Sequence, residues 1–283
     1  MRAGPAGWSY KDWQGVVYPA DMPRGRHRLN YLSRFFDTIE VNSTFYRPVR
    51  DTTCAKWLAE TASNPDFMFT VKLWRRFTHE RDSWPSDKET REFMDGISPL
   101  EKEGKLGAVL AQFPWSFRRT PENSRWLADT IEAFSGYPLV IEVRHASWNT
   151  PEFYEALANR HVAFCNIDQP LTRNSIEPGE RVTAPVGYVR LHGRNYENWF
   201  RSDAGRDDRY NYLYSEDELG PWVERIERMR LRTDEIYVIT NNHYRGQAVV
   251  NAFELQHRLV NKCVDPPPSL VQAWPRLERL TST

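Results

Sequence analysis

The chain has 283 residues, with 38 Lys and Arg against 38 Asp and Glu and 40% apolar residues. That balance excludes disordered and fibrous classes, and it argues against non-specific coating of nucleic acid, which needs many cationic contacts to phosphate. The length suits one large domain or two small ones, and a single α/β barrel typically takes ~250 residues.

In chain order, short apolar runs rich in β-branched residues alternate with longer stretches of helical period. Strands are expected near 3–7, 38–42, 67–72, 106–112, 139–144, 162–167, 186–192 and 235–241. Helices are expected at about 26–36, 52–63, 87–102, 121–134, 151–160, 216–230 and 247–260. Thr120-Pro121-Glu122 and Thr150-Pro151-Glu152 read as an N-cap followed by proline in the first turn. Eight strands joined by helical crossovers predict an α/β fold, a single TIM (β/α)8-type barrel over residues 1–264, irregular between strands six and seven, where 169–186 shows no helical pattern. Residues 193–215 form a long insertion rich in aromatics (Tyr196, Trp199, Phe200, Tyr210, Tyr212, Tyr214), and residues 265–283, opening on Pro266-Pro267-Pro268, are expected to be an extended tail.

No apolar run approaches the ~18 to 20 residues that cross a bilayer, and Met1-Arg2-Ala3-Gly4-Pro5 carries no apolar signal core, so a soluble cytoplasmic protein is expected. Cys54, Cys165 and Cys263 are odd in number and widely spaced, which indicates neither a disulfide framework nor a zinc site.

Almost every expected strand ends in residues that are expensive to bury: Glu40 and Asn42, Lys72, Gln112, Glu142 and Arg144, Asp168, Arg190 with His192, Gly193 and Arg194, and Asn241-Asn242. Side chains at i and i+2 share a face, so Glu40/Asn42, Glu142/Arg144 and Arg190/His192 each place two polar groups together. Barrels of this kind build their sites at the carboxyl-terminal ends of the strands. The charges can also pair as a buried plug, Glu40 with Lys72 or Glu142 with Arg144 or Arg190, but so many buried ions kept for stability alone would gain little over apolar packing.

Such a mouth favours an anion. Arg144, Arg190, Gly193, Arg194, Asn241 and Asn242 are the expected anion-binding set, with the glycine allowing close backbone approach and the arginines a two-pronged grip. Glu142 or His192 is the expected general base or acid, Lys72 an electrophilic stabiliser or amine nucleophile, and Glu40 and Asp168 complete the catalytic candidates. Trp8, Tyr10, Tyr46, Trp148 and Trp199 are expected to form an aromatic rim on which bases or sugar rings stack. No cofactor is predicted. A divalent metal on Glu40, Glu142, Asp168 and a histidine is an alternative, opposed by the arginines that compete for the same carboxylates.

The same residues resemble those of the YecE-like proteins, also called domain of unknown function 72. The likeness runs from Gly4 to Leu259 through Gly7-Trp8-Ser9-Tyr10, Trp13, Tyr18-Pro19, Glu40-Val41-Asn42-Ser43-Thr44-Phe45-Tyr46, Lys72 and Thr78-His79. It continues in Gln112-Phe113-Pro114, Glu142-Val143-Arg144-His145, Trp148, Asp168, Arg190-Leu191-His192-Gly193-Arg194, Asn241-Asn242 and Asn251-Ala252. Ala6 and Thr240 depart from the usual serine and aromatic residue. The resemblance implies a TIM barrel but no settled activity. The functional expectation is an enzyme, a hydrolase or lyase, acting on a nucleotide, sugar phosphate or nucleic-acid end. The alternatives are a non-catalytic module that binds nucleic acid or a phospho-ligand, and a glycoside-active or metal-dependent hydrolase. The oligomeric state is not indicated.

Overall fold

Seven runs containing Val, Ile, Leu or Phe, together with Arg2-Ala3-Gly4-Pro5, become eight parallel strands: β1 (Arg2–Pro5), β2 (Thr38–Val41), β3 (Met68–Lys72), β4 (Leu106–Gln112), β5 (Leu139–Glu142), β6 (Ala163–Asp168), β7 (Val186–Leu191) and β8 (Glu235–Thr240). They hydrogen-bond in the order β1-β8-β7-β6-β5-β4-β3-β2. The ring is nearly closed where a parallel bridge joins Ala6 to Glu40 and the Gly7 amide donates to the Glu40 carbonyl at 2.8 Å. At this seam Gly4 has a steric purpose, because a Cβ there would lie 2.0 Å from the Thr38 carbonyl oxygen. The structure, a computed structural model, describes residues 1–283 apart from Arg24, Arg26, Phe200, Ser202, Asn261, Lys262, Cys263, Ser282 and Thr283. The expectations for Phe200 and Cys263 therefore lie outside the described residues.

The helices are α1 (Arg28–Leu32), α2 (Ser43–Tyr46), α3 (Asp51–Thr61), α4 (Asp87–Lys102), α5 (Pro121–Ala133), α6 (Pro151–Ala158), α7 (Tyr196–Trp199), α8 (Arg206–Arg209), α9 (Glu216–Arg230), α10 (Gln247–Val260) and α11 (Pro268–Ala273). Thr120 and Thr150 cap α5 and α6 through their side chains, with proline following in the first turn. Ser86 with Glu89 and Ser215 with Glu218 close reciprocal capping boxes at α4 and α9. These local signals fix where each crossover helix begins, and hence where the strand before it ends.

Strand alternation sorts the core. Ala108, Leu110, Val140, Ala163, Cys165, Ile167, Tyr188, Tyr237 and Ile239 fill the barrel interior, while the intervening residues, such as Val109, Ile141, Val143 and Phe164, pack outward against the helices. Between β6 and β7 the chain runs from Gln169 to Pro185 without a helix, tied down by Asn166, whose side chain bonds both the amide and the carbonyl of Arg181. The tail corrects its expectation. It is helical rather than extended, as α11 and a 3-10 segment Pro275–Leu280, and Leu270, Leu277 and Leu280 are buried in the core. Pro268 starts a helix because the first turn does not need its missing N–H. Among the described residues no helix is long and apolar enough to cross a membrane.

Candidate functional site

Period-two alternation carries Glu40, Thr70, Lys72, Glu142, Arg144, Tyr188, Arg190, His192 and Asn241 toward the barrel axis. At its centre the Arg190 guanidinium bridges two carboxylates: Nη2 donates to Glu40 Oε1 at 2.7 Å and Nη1 to Glu142 Oε2 at 2.6 Å. All three side chains are essentially inaccessible to solvent. The second Glu40 oxygen accepts from the Tyr188 hydroxyl at 2.9 Å. The second Glu142 oxygen accepts from Arg144 Nε at 2.9 Å and lies 3.2 Å from His192 Nε2. Glu40 thus pairs with Arg190 rather than Lys72, and the guanidinium fills the space between the carboxylates that a glycosidase would leave for its sugar.

Burial alone would raise the Glu142 pKa, but Arg190, Arg144 and His192 outweigh it and hold the carboxyl well below its ordinary range. Glu142 is therefore an ionised counter-ion and a poor proton carrier near neutrality. Burial drives His192 down to about 3, with Arg144 and Arg190 opposing the attraction of Glu142. Its imidazole is neutral; Nδ1 lies 3.0 Å from Asn241 Nδ2, and Nε2 faces Glu142 Oε1 at 3.2 Å and Arg144 Nη2 at 3.4 Å.

Above this plug lies a cavity of about 450 Å³, lined in part by Tyr10, Asn42, Lys72, Arg75, Arg144, Arg190, Arg209, Tyr210 and Asn241. Among its described lining residues are four arginines and a lysine, and no aspartate or glutamate. Arg190 is already committed to its carboxylates, but Nη1 of Arg144 has no protein partner among the described residues. Lys72 Nζ sits 4.0 Å from the centre of the Phe45 ring and makes no ion pair among the described residues. Burial, followed by repulsion from Arg190, lowers its pKa to about 7. His79, also on the wall, is lowered to about 3 by burial and by Lys72.

Several expected residues lie elsewhere. Asp168 follows the inward-facing Ile167 and so points outward, where Arg194 grips both its oxygens at 2.9 and 2.7 Å and Trp222 of α9 donates to one of them. Arg194 also meets Glu218, so its charge is already answered. The Gly193 amide donates to the Tyr214 hydroxyl, and a Cβ on Gly193 would lie 2.7 Å from Tyr212 Cβ, so this glycine serves the return of the insertion. Asn242 also faces outward and donates to the Tyr212 carbonyl and to Asn251.

Of the aromatic candidates, Tyr10 and Tyr46 line the cavity, and Tyr46 is 59% exposed. Trp199 lies over Arg144, 5.6 Å from its guanidinium carbon. Trp8 packs edge-on against Trp57, and Trp148 is buried against Phe117, so both are packing residues. Sequence reasoning missed Arg75 and Arg209. Arg75 follows Lys72 by three residues, in the turn after a strand, which was the available signal; Arg209 sits in an insertion with no period to place it.

Among the described residues no group of three or more His, Cys, Asp or Glu is arranged to hold a metal ion, and every oxygen of Glu40 and Glu142 already has an arginine, tyrosine or histidine partner. A larger cavity, about 1280 Å³, lies outside the barrel between residues 47–53 and α4. It lacks buried convergent groups, so the mouth is the better candidate.

A family model described as "Protein of unknown function DUF72" matches residues 2–273. The chain is 30% identical to the UPF0759 protein YunF of Bacillus subtilis over 267 residues, covering 89% of this chain and 92% of that protein. A crystal structure of a DUF72 family protein from Thermotoga maritima superposes with a TM-score of 0.82 at 36% identity, covering 92% of this chain and 98% of the other. One from Enterococcus faecalis gives 0.79 at 26% identity, covering 94% and 98%.

Proposed function

The chain belongs to the DUF72 family, whose description assigns no function, and from the barrel mouth we propose an enzyme that binds a small phosphate-bearing molecule there. The observation that carries this reading is the cavity wall, where four arginines and a lysine meet no exposed carboxylate. An anion entering it gains charge-assisted hydrogen bonds and displaces no existing partner of Arg144 Nη1. Glu40 and Glu142 serve beneath as fixed counter-ions that hold Arg190 and Arg144 in place. Lys72, lowered to about 7, is placed to exchange a proton near neutrality, the property expected of a general acid or base at working pH. Of the anion-binding residues expected from sequence, Arg144 carries the phosphate in this reading, with Arg75 and Arg209 at the rim, whereas Arg190 and Arg194 are held by their carboxylates.

The size of the cavity and the insertion that bounds it through Arg209 and Tyr210 favour a small molecule over a nucleic-acid strand. Isothermal titration with inorganic phosphate, a sugar phosphate, a nucleoside monophosphate and a short single-stranded oligonucleotide tests this. The expected result is binding of the phosphomonoesters that weakens in Arg144→Ala. Tighter binding of the oligonucleotide than of any monoester would favour the nucleic-acid module instead. A turnover screen of phosphomonoesters and phosphodiesters, with and without divalent metal, separates enzyme from binder.

A further inference from the structure

Lys72 differs from the other cations of the mouth. Each of the four arginines has at least one protein acceptor: Arg190 and Arg144 bond carboxylates, Arg75 pairs with Glu80, and Arg209 donates to the Arg201 carbonyl. Lys72 Nζ has an aromatic face at 4.0 Å and no acceptor among the described residues. Its backbone is held at the last residue of β3, with its carbonyl accepting from the Thr44 hydroxyl at 2.7 Å, so the amine is presented from a rigid strand end rather than a loop.

Resting on the anion-binding reading above, we propose that Lys72 is a nucleophile that forms an imine with a substrate carrying both a carbonyl group and a phosphate, the phosphate being held by Arg144. A lysine poised as a mere electrostatic clamp would gain from a carboxylate neighbour. At Lys72, burial and the Arg190 and Arg144 charges outweigh the Glu142 and Glu40 carboxylates, which are already bonded to Arg190, and with the Phe45 ring at its face the amine is shifted toward its free form, the form that attacks a carbonyl. The depressed pKa agrees with this geometry. In the step, the amine lone pair adds to the carbonyl carbon and the C=O π pair moves to oxygen. A proton passes from nitrogen to that oxygen. After a second protonation the oxygen leaves as water, and loss of the remaining N–H proton gives the neutral imine. One amine and one carbonyl give one imine and one water, with no oxidant or reductant.

The test uses glyceraldehyde 3-phosphate as the anionic aldehyde and glyceraldehyde as its uncharged counterpart, each trapped with sodium cyanoborohydride on the full-length protein and located by peptide mass mapping. The expected result is a reduced adduct on Lys72 ahead of the surface lysines, formed about tenfold faster with the phosphorylated aldehyde, as one charge-assisted contact implies. The rate should rise with pH through about 7, and inorganic phosphate should slow it. Lys72→Met should lose that adduct alone while circular dichroism stays native. Mapping on the unaltered chain decides the question even if this variant does not fold. Labels spread over surface lysines with Lys72 spared, in protein that still binds phosphate by titration, would overturn the imine and leave the anion site standing. Lys72 labelling that is indifferent to phosphate and equal for both aldehydes would overturn the anion site, and with it the substrate class proposed here.

Discussion

Two carboxylate–arginine clusters flank the end of β7, one inside the barrel and one outside. Inside, Arg190 joins Glu40 to Glu142, and Arg144 beside it keeps one amino group open toward the cavity. Outside, Arg194 closes on Asp168, with Trp222 and Glu218 completing the set. Both are built from the same residue types at strand ends. The inner cluster backs onto a cavity whose described lining residues include cations but no carboxylate, whereas the outer one packs against α9. Charge at a strand end therefore does not by itself reach the cavity; the side of the sheet it faces decides.

The largest effect that would test this contrast is on stability. Arg190→Met leaves two buried carboxylates without their cation and should cost about 3–5 kcal/mol in urea unfolding. Arg194→Met, at a partly exposed pair, should cost about 1–3 kcal/mol. Equal losses would mean that the two clusters are equivalent. Next comes affinity. Arg144→Ala should weaken phosphate binding about tenfold, while Arg194→Ala should leave it within about twofold, since the latter makes no contact with the mouth. A reversed pattern in titration calorimetry would move the site to the outer cluster.

A pH series sharpens the same point. Lys72 is lowered from 10.5 to about 7, so across that interval the unfolded chain binds more protons than the folded one and stability rises with pH. Below about pH 7 the full penalty of the buried ammonium is present. Lys72→Met should therefore raise the melting temperature most below that pH, and the gain should fade as the pH climbs toward 10.5. Glu142 has the opposite sense. Its stabilisation is complete above the ordinary carboxyl value of 4.5 and is lost as the pH falls through its depressed folded value, so Glu142→Gln should flatten the acid limb. The smallest expected effect is at the aromatic wall. Trp199→Ala removes a ring lying over Arg144 and should weaken ligand affinity about two- to fivefold.

Most strands and helices were legible because they carry a local signal: β-branched runs, Thr-Pro caps, and Ser with Glu three residues later; β1, Arg2-Ala3-Gly4-Pro5, has no β-branched residue. Glu40, Glu142, Arg190 and His192 were legible because i, i+2 spacing on one strand fixes their common direction. The same rule places Asp168 and Asn242 outward, since Ile167 and Asn241 beside them point in. The alternation that brings the others to the mouth thus separates those two from it. Arg209 and Tyr210 were out of reach for a different reason: an insertion without period has its shape set by tertiary contacts, such as Tyr210 at 5.2 Å from His243. The tail was misread because three leucines spaced for a buried face were outweighed by three prolines.

That tail has a reach beyond its own packing. Arg276 and Arg279 clasp Glu254, a buried carboxylate on α10; Glu254 accepts from Asn251, and Asn251 bonds the backbone of Tyr214 on both sides. The roof over the mouth is thus guyed from the opposite end of the polypeptide. Removing Pro275–Leu280 would take two cations from a buried anion and slacken the loop that Asn251 anchors, turning a truncation outside the insertion into a change in how tightly the cavity is lidded.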